Sequence, residues 1–304
     1  MNIKEASKQK ELFTGGHRAC AGCGAVIVAR QVLAVAGPNT VVTNATGCLE
    51  VVSTIFPYTA WNVPFIHSAF ENAAATISGV EALYKSWVRQ KKYDKKVNFI
   101  AFGGDGGTYD IGLQALSGAM ERGHNILYVC YNNEAYMNTG VQRSGATPKG
   151  ADTTTAPAGK VKQGKEQFRK NLTEIIVAHG VPYVAQAVVG NWRDLTAKVE
   201  KALSIEGPKF INVFQPCRLG WSYKPEKTCE LGRLAADCCI WPLYEVVDGQ
   251  YKITYKPKEK KPVSEWINGQ GRFRHLLKPE NKHILDEMQG QVDKFWDALQ
   301  KKSV

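Results

Sequence analysis

Val97-Asn98-Phe99-Ile100-Ala101-Phe102-Gly103-Gly104-Asp105-Gly106-Gly107 opens the stretch, running on to Gly140, whose reading decides the fold. Its first six residues have the length and composition of a strand, and glycines end it abruptly. Ile111, Leu113, Leu116 and Met120 then recur at roughly helical spacing, with Gly123 placed to stop the helix. A second strand, Ile126-Leu127-Tyr128-Val129-Cys130, runs into Tyr131-Asn132-Asn133. Strand, helix and strand in so short a segment make a βαβ unit with parallel strands. Asp105 and Asn133 then stand just beyond the carboxyl ends of those strands, where open α/β sheets bind ligands.

The residue types suggest a ligand. A hard cation such as magnesium takes oxygen donors and shares them with substrate phosphates. Asp105 offers a carboxylate, Asn133 an amide oxygen, and the glycines allow backbone N–H groups close to a phosphate. Alone, Gly104-Asp105-Gly106 reads equally well as a tight turn in an ordinary doubly wound sheet. With the Asn pair twenty-eight residues later it becomes a two-part motif, which resembles the thiamine-diphosphate motif. That resemblance implies magnesium held by Asp105, Asn133 and the backbone carbonyl of Ala135.

A chain of 304 residues accommodates one large domain with an appendage, or two small ones. Its 44% hydrophobic and 22% charged residues are ordinary for a soluble globular protein. No apolar run reaches the roughly eighteen residues of a membrane span, and Met1-Asn2-Ile3-Lys4-Glu5 lacks a signal-peptide core. The expectation is a cytoplasmic protein with no membrane partner, whose thiols stay reduced. The net charge of +11 comes from lysines spread along the chain, with a modest group at Lys256, Lys258, Lys260 and Lys261. With no nucleic-acid module present, this reads as a solvated face, or as attraction to an acidic protein partner, and not as a nucleic-acid site.

In chain order, residues 1–15 suggest an arm or short helix. A glycine-rich CxxC loop follows, Cys20-Ala21-Gly22-Cys23, and then a helix through Val26 and Val32 to Gly37-Pro38. A strand from Thr40 to Thr43 ends at Asn44-Ala45-Thr46-Gly47-Cys48. The segment from Tyr58 to Ser68 reads as loop, and a long helix is expected from Phe70 to about Arg89. Residues 140–164 carry little apolar content and suggest a functional loop. Helix (Glu166 to His179), strand (Tyr183 to Ala187), helix (Trp192 to Ser204) and strand (Phe210 to Phe214) follow, ending at Gln215-Pro216-Cys217. Beyond it come a hairpin turning at Asp248-Gly249 and a Lys/Pro-rich linker. An amphipathic helix from about Glu280 closes the chain, with Ile284, Leu285, Met288, Val292, Phe295, Trp296 and Leu299 on one stripe. The fold class is α/β, a doubly wound, mostly parallel sheet with helices on both faces. We expect a cofactor domain over 1–218 and a C-terminal extension over 219–304.

Of eight cysteines, Cys20, Cys23, Cys48 and Cys217 fall in loops or at strand ends. They suffice for one tetrahedral site, and spacing leaves zinc and an iron–sulfur cluster both open. Cys130 lies within a strand and reads as core; Cys229, Cys238 and Cys239 read as structural.

Five motifs in order carry a further resemblance: Cys20-Ala21-Gly22-Cys23-Gly24-Ala25, Asn44-Ala45-Thr46-Gly47-Cys48, Phe70-Glu71-Asn72-Ala73-Ala74, Gly104-Asp105-Gly106-Gly107-Thr108-Tyr109-Asp110-Ile111-Gly112 and Tyr136-Met137-Asn138-Thr139-Gly140-Val141-Gln142. With Gln270-Gly271-Arg272-Phe273, they resemble β subunits of the 2-oxoacid:ferredoxin oxidoreductase family, the pyruvate:ferredoxin oxidoreductases above all. Ala21 stands where many members carry proline, a departure that leaves the ligands untouched. The thiamine fold is implied by that resemblance. So is a set of cofactor contacts at Gly47, Gly104, Asp105, Gly106, Gly107, Asn133, Asn138 and Thr139, and one four-iron, four-sulfur cluster on Cys20, Cys23, Cys48 and Cys217. Val51 and Phe70 would form an apolar wall for substrate, or simple core packing, and Asn138 would donate near the reacting carbon.

The resemblance further implies oxidative decarboxylation of a 2-oxo acid to an acyl-coenzyme A, with electrons leaving through the cluster to ferredoxin. Companion subunits of α, γ and δ types would supply the glutamate that activates the aminopyrimidine, the coenzyme A site and onward electron transfer. Pyruvate is the leading substrate; oxalate and other 2-oxo acids are alternatives, and the direction of reaction is open. A non-redox thiamine decarboxylase or carboligase with structural zinc would need no cysteine tetrad. A purely structural zinc subunit would leave the Asp105 and Asn133 pair unexplained. Iron and acid-labile sulfide content distinguishes these.

Overall fold

In the computed structural model, which describes residue 5 and residues 8–303, eight strands form one sheet. They are β1 (Thr40–Ala45), β2 (Phe65–Ser68), β3 (Asn98–Gly104), β4 (Leu127–Asn132), β5 (Tyr183–Val188), β6 (Lys209–Phe214), β7 (Leu243–Val247) and β8 (Gln250–Tyr255). Their spatial order is β2-β1-β3-β4-β6-β5-β7-β8. The first six are parallel, and β7 and β8 add antiparallel at one edge. The helices are α1 (Gly24–Ala36), α2 (Cys48–Ser53), α3 (Ala73–Arg89), α4 (Leu113–Glu121), α5 (Leu172–Val177), α6 (Trp192–Ser204), α7 (Arg218–Trp221), α8 (Thr228–Asp237), α9 (Val263–Asn268) and α10 (Lys282–Lys302).

The central strands bury both faces, as continuous apolar runs require. Along β3, Ile100 and Phe102 enter the core beneath α1 and α6, while Phe99 and Ala101 enter the one beneath α3 and α4. A third core gathers Phe214, Trp221, Trp266 and Phe273 around the C-terminal segments. The connection from β1 leads outward to β2, and that from β3 leads the other way to β4. The order therefore reverses between β1 and β3, and the crevice beyond their carboxyl ends is the switch point at which such sheets bind ligands.

The βαβ unit, the helix at Trp192–Ser204 and the hairpin stand as expected. Four readings need correction. The stretch read as loop up to Ser68 contains β2, an edge strand of four residues with two of them exposed, so it has little apolar pattern to detect. Phe70 to Asn72 form a turn before α3. Glu166 to Lys170 are not helical; Asn171 caps the short α5 by accepting from the Glu174 N–H at 3.4 Å. The segment after Cys217 holds α8 and α9 as well as the hairpin, and β7 pairs with β5, continuing the main sheet. Of the N-terminal arm expected over residues 1–15, residues 1–4, 6 and 7 lie outside the described residues; Phe13 is buried edge-on against Trp61. Helix α10 packs on its own chain, burying Ile284, Met288, Trp296 and Leu299. No helix among the described residues is long and apolar enough to cross a membrane.

Candidate active site

At the switch point lies a cleft of about 340 Å³, whose walls include Gly47, Phe70, Gly104, Asp105, Gly106, Gly107, Asn133, Ala135, Asn138 and Thr139. Thr46, Cys48, Tyr131, Tyr136 and Met137 complete it. Of the residues singled out for cofactor and substrate, only Val51 lies elsewhere: it is 43% exposed on α2 and off the cleft. Asn138 and Thr139 are exposed at the rim, and the half-buried Phe70 ring stands 5.8 Å from Tyr136. Gly107 must lack a side chain, because a Cβ there would lie 2.8 Å from the Phe70 carbonyl oxygen. A π-helical turn over Gly106–Ile111 follows Asp105, a local form frequent at functional sites.

Asp105 is buried, accepting from the Asn133 backbone N–H at 3.2 Å and from Ser144 Oγ at 2.5 Å. Burial, with some help from nearby Glu134, nonetheless pushes its carboxyl up to about 7. The Asn133 amide lies 3.0 Å from Asp105 Oδ1 and 2.8 Å from the Ala135 carbonyl oxygen. The Asp105 carboxyl, the Asn133 amide and the Ala135 carbonyl thus converge on one point. With no cation bound, the amide NH2 can donate to both oxygens while its carbonyl accepts from Gln215 Nε2 at 3.2 Å. A carboxylate, an amide oxygen and a backbone carbonyl brought this close together are the oxygen donors a hard divalent cation takes, so the donor set fits magnesium.

Distant segments hold the turn that presents these oxygens. Glu134, between the two donor residues, is fully buried with a left-handed backbone, φ +66°. Its carboxylate pairs with Arg169 at 2.7 Å and Arg272 at 2.6 Å. Its carbonyl accepts from Thr147 Oγ1 at 2.5 Å, and its N–H donates to Asn132 Oδ1 at 2.9 Å. Arg272 also stacks 3.7 Å from the centre of the Trp221 ring, and Trp221 Nε1 donates to the Asn133 carbonyl at 2.9 Å. Burial pulls the Arg272 guanidinium down to about 10, against the pull of Glu134, so it stays charged at neutral pH.

The four cysteines singled out by sequence gather at the same edge. Cys23 caps α1, Cys48 begins α2, and Cys217 caps α7. The CxxC loop closes through a Cys23 N–H to Cys20 carbonyl bond of 3.0 Å, and Thr228 Oγ1 ties Gly22 down at 2.6 Å. Backbone N–H groups of Ala25 and Val26 support Cys23, and those of Leu219 and Gly220 support Cys217. Burial still raises both thiols. Burial, and then the charges of Cys217, Cys23 and Cys20, push Cys48 up to about 12. Among the described residues no three His, Cys, Asp or Glu side chains are grouped to hold a single metal ion. Cys130 and Cys239 are buried in the core beneath α3 and α4, and Cys238 in the one around the C-terminal segments, whereas Cys229 is only partly buried.

Sequence reasoning missed Ser144, Arg169, Glu134 and Tyr131. Only Arg272 stood inside a motif, and Glu134 had the one available signal, a charged residue directly after the Asn pair.

Residues 45–213 match the family model of the thiamine pyrophosphate enzymes' C-terminal TPP-binding domain. The chain is 59% identical to pyruvate synthase subunit PorB of Methanocaldococcus jannaschii, over 91% of this chain and 93% of that protein. It is 54% identical to PorB of Thermotoga maritima, over 98% and 95%. Ketoisovalerate oxidoreductase subunit VorB of Pyrococcus abyssi is 42% identical, over 96% and 93%. A solved 2-oxoglutarate:ferredoxin oxidoreductase from Magnetococcus marinus shares the fold, with a TM-score of 0.55 at 23% identity, over 71% of this chain and 68% of that one. The fold is therefore that of the TPP-binding domain of the thiamine pyrophosphate enzymes. Within that class the chain belongs to the family of the pyruvate synthase PorB subunits.

Proposed function

We propose that this chain is the thiamine-diphosphate-binding β subunit of a pyruvate:ferredoxin oxidoreductase, and that Asp105, Asn133 and the Ala135 carbonyl hold its magnesium ion. The observation that carries the reading is the convergence of the Asp105 carboxyl, the Asn133 amide and the Ala135 carbonyl within 3.0 Å at the switch point. Asp105 and Asn133 would orient the diphosphate through the ion. Gly106 and Gly107, opening the helical turn, would let backbone N–H groups approach it. Phe70 and Tyr136 would exclude water from one side of the reacting end, with Asn138 at the rim. Bound thiamine diphosphate supplies the carbanion-stabilising centre that decarboxylation of a 2-oxo acid requires.

Cys20, Cys23, Cys48 and Cys217 would hold one four-iron, four-sulfur cluster. Cys48 lies near enough to Cys217, Cys23 and Cys20 to feel the charge of each, which supports four thiolates around one bound group. Backbone N–H groups aimed at Cys23 and Cys217 favour bound thiolates. Pyruvate is favoured over a branched 2-oxo acid by the PorB relatives' 59% and 54% identity, against 42% for the VorB relative. Companion subunits would supply the aminopyrimidine-activating carboxylate, the coenzyme A site and the path to ferredoxin.

The test is anaerobic ferredoxin reduction with thiamine diphosphate, magnesium, coenzyme A and a panel of 2-oxo acids. The complex co-expressed with its companions should turn over pyruvate fastest, and the isolated cluster-loaded chain should not turn over at all. Robust turnover by the single chain would overturn the division of labour, and preference for another 2-oxo acid the substrate.

A further inference from the structure

The Tyr131 hydroxyl is buried and has no hydrogen-bond partner, although Tyr131 is only 2% exposed. Such a group is costly to bury unless something that binds completes it. Its surroundings say where that something lies. Oη is 2.8 Å from the point a Cβ on Gly47 would occupy and 3.5 Å from the corresponding point on Gly104. The absent side chain at Gly47 thus leaves the hydroxyl room beside the start of α2. Tyr131 lines the cleft together with Cys48, and Cys48 is the neighbouring charge that acts on it most strongly. The phenol hydroxyl is a donor. A second buried donor without a partner, Arg218 Nε, directly follows Cys217 in sequence.

We propose that the Tyr131 hydroxyl donates a hydrogen bond to the cluster-bound sulfur of Cys48, and thereby raises the cluster's reduction potential from the side that faces the cofactor cleft. The proposal rests on the reading that the four cysteines hold a cluster. One-electron reduction adds a negative charge to a group that already carries thiolate charge. A donor stabilises that more negative state, and hydrogen bonds to sulfur are one of the protein's levers on such potentials. A thiolate is also a far stronger acceptor than a thiol. Because Tyr131 borders both the cleft and Cys48, its donor acts where electrons would enter.

The experiment uses the co-expressed complex, purified anaerobically, with a redox titration of the cluster's paramagnetic signal. Tyr131→Phe should keep full iron and sulfide, keep its affinity for thiamine diphosphate, and move the midpoint to more negative potential. Should the Tyr131→Phe substitution hinder assembly, 3,5-difluorotyrosine placed at this position by codon suppression tests the same bond with the opposite sign. Its more acidic hydroxyl is a stronger donor, and the midpoint should move to more positive potential. An unchanged midpoint in a fully loaded variant would overturn the proposal. So would weakened thiamine diphosphate binding at unchanged potential, since the hydroxyl would then serve the cofactor. Wild-type complex without iron at this chain would overturn the cluster reading itself, and is recognised separately by the iron content of the unaltered protein.

Discussion

Around Asn133 the polar groups of the turn are bound by Thr147, Arg169, Trp221 and Arg272, drawn from segments far apart in sequence. Beside Cys48, by contrast, the Tyr131 hydroxyl is buried without a partner. The first region is pre-organised by the protein, and what it leaves open is the point on which the Asp105, Asn133 and Ala135 groups converge, which one cation can fill. The second has its polar groups in place but depends on a bound group to complete them. A site held by its own second layer should lose affinity when that layer is cut, whereas one completed by its ligand should respond mainly to loss of the ligating atoms.

The sharpest break is Asp105→Ala. It removes the only anionic donor of the triad, and calorimetry with magnesium present should find no binding of thiamine diphosphate. Next come the cysteines. Serine at 20, 23, 48 or 217 should abolish or alter the reduced cluster's paramagnetic signal. Cys130→Ser should spare it, because Cys130 is fully buried within β4. Cys238→Ser erasing the signal while Cys217→Ser kept it would reverse the assignment.

Glu134→Ala tests whether the turn is held by charge. It leaves Arg169 and Arg272 facing a buried gap, and breaking such a pair costs about 3–5 kcal/mol. The denaturation midpoint should fall at constant slope.

The pH dependence follows from Asp105, whose carboxyl is raised from the ordinary 3.8 to about 7. Without magnesium, the native fold holds this proton more tightly than the unfolded chain does. Its contribution to stability is therefore full below pH 3.8 and is lost as pH rises through about 7. Magnesium must displace the proton, so its affinity should grow by up to about tenfold per pH unit below 7 and level off above. Titrations at fixed ionic strength would show it.

The smallest effect is expected of Trp221→Phe, which keeps a ring for Arg272 to stack on but loses the N–H donated to the Asn133 carbonyl. About 1 kcal/mol, or roughly fivefold in half-saturating magnesium, is the scale of one such bond. Affinity for thiamine diphosphate at saturating magnesium should be unchanged.

The difference between the two regions also explains what could be read from the sequence. Asp105, Asn133 and the cysteines announce themselves because each lies beside a strand end or a glycine turn, where local pattern is strongest. Ser144, Arg169 and Tyr131 carry no residue type that marks a site. A serine in a polar loop, an arginine in a basic chain and a tyrosine in a β-rich run are each ordinary until the fold brings them together. The missed β2 fails for a related reason, since a four-residue edge strand with two exposed positions shows neither a run nor a clean alternation. Between Glu166 and Lys170 the composition favours a helix, but tertiary ties outweigh it: Arg169 reaches for Glu134, and Lys170 for Asp110.

The pairing of Glu134 with Arg272 joins residues 138 positions apart. During synthesis the segment that carries Glu134 and Arg169 emerges and can collapse first, whereas Arg272 follows much later. Until then the turn between Asn133 and Ala135 has only part of its clamp. Maturation of the cation site is therefore a late event in the life of each new molecule. A chain cut short before Arg272 would carry every magnesium donor and still lack the finished site.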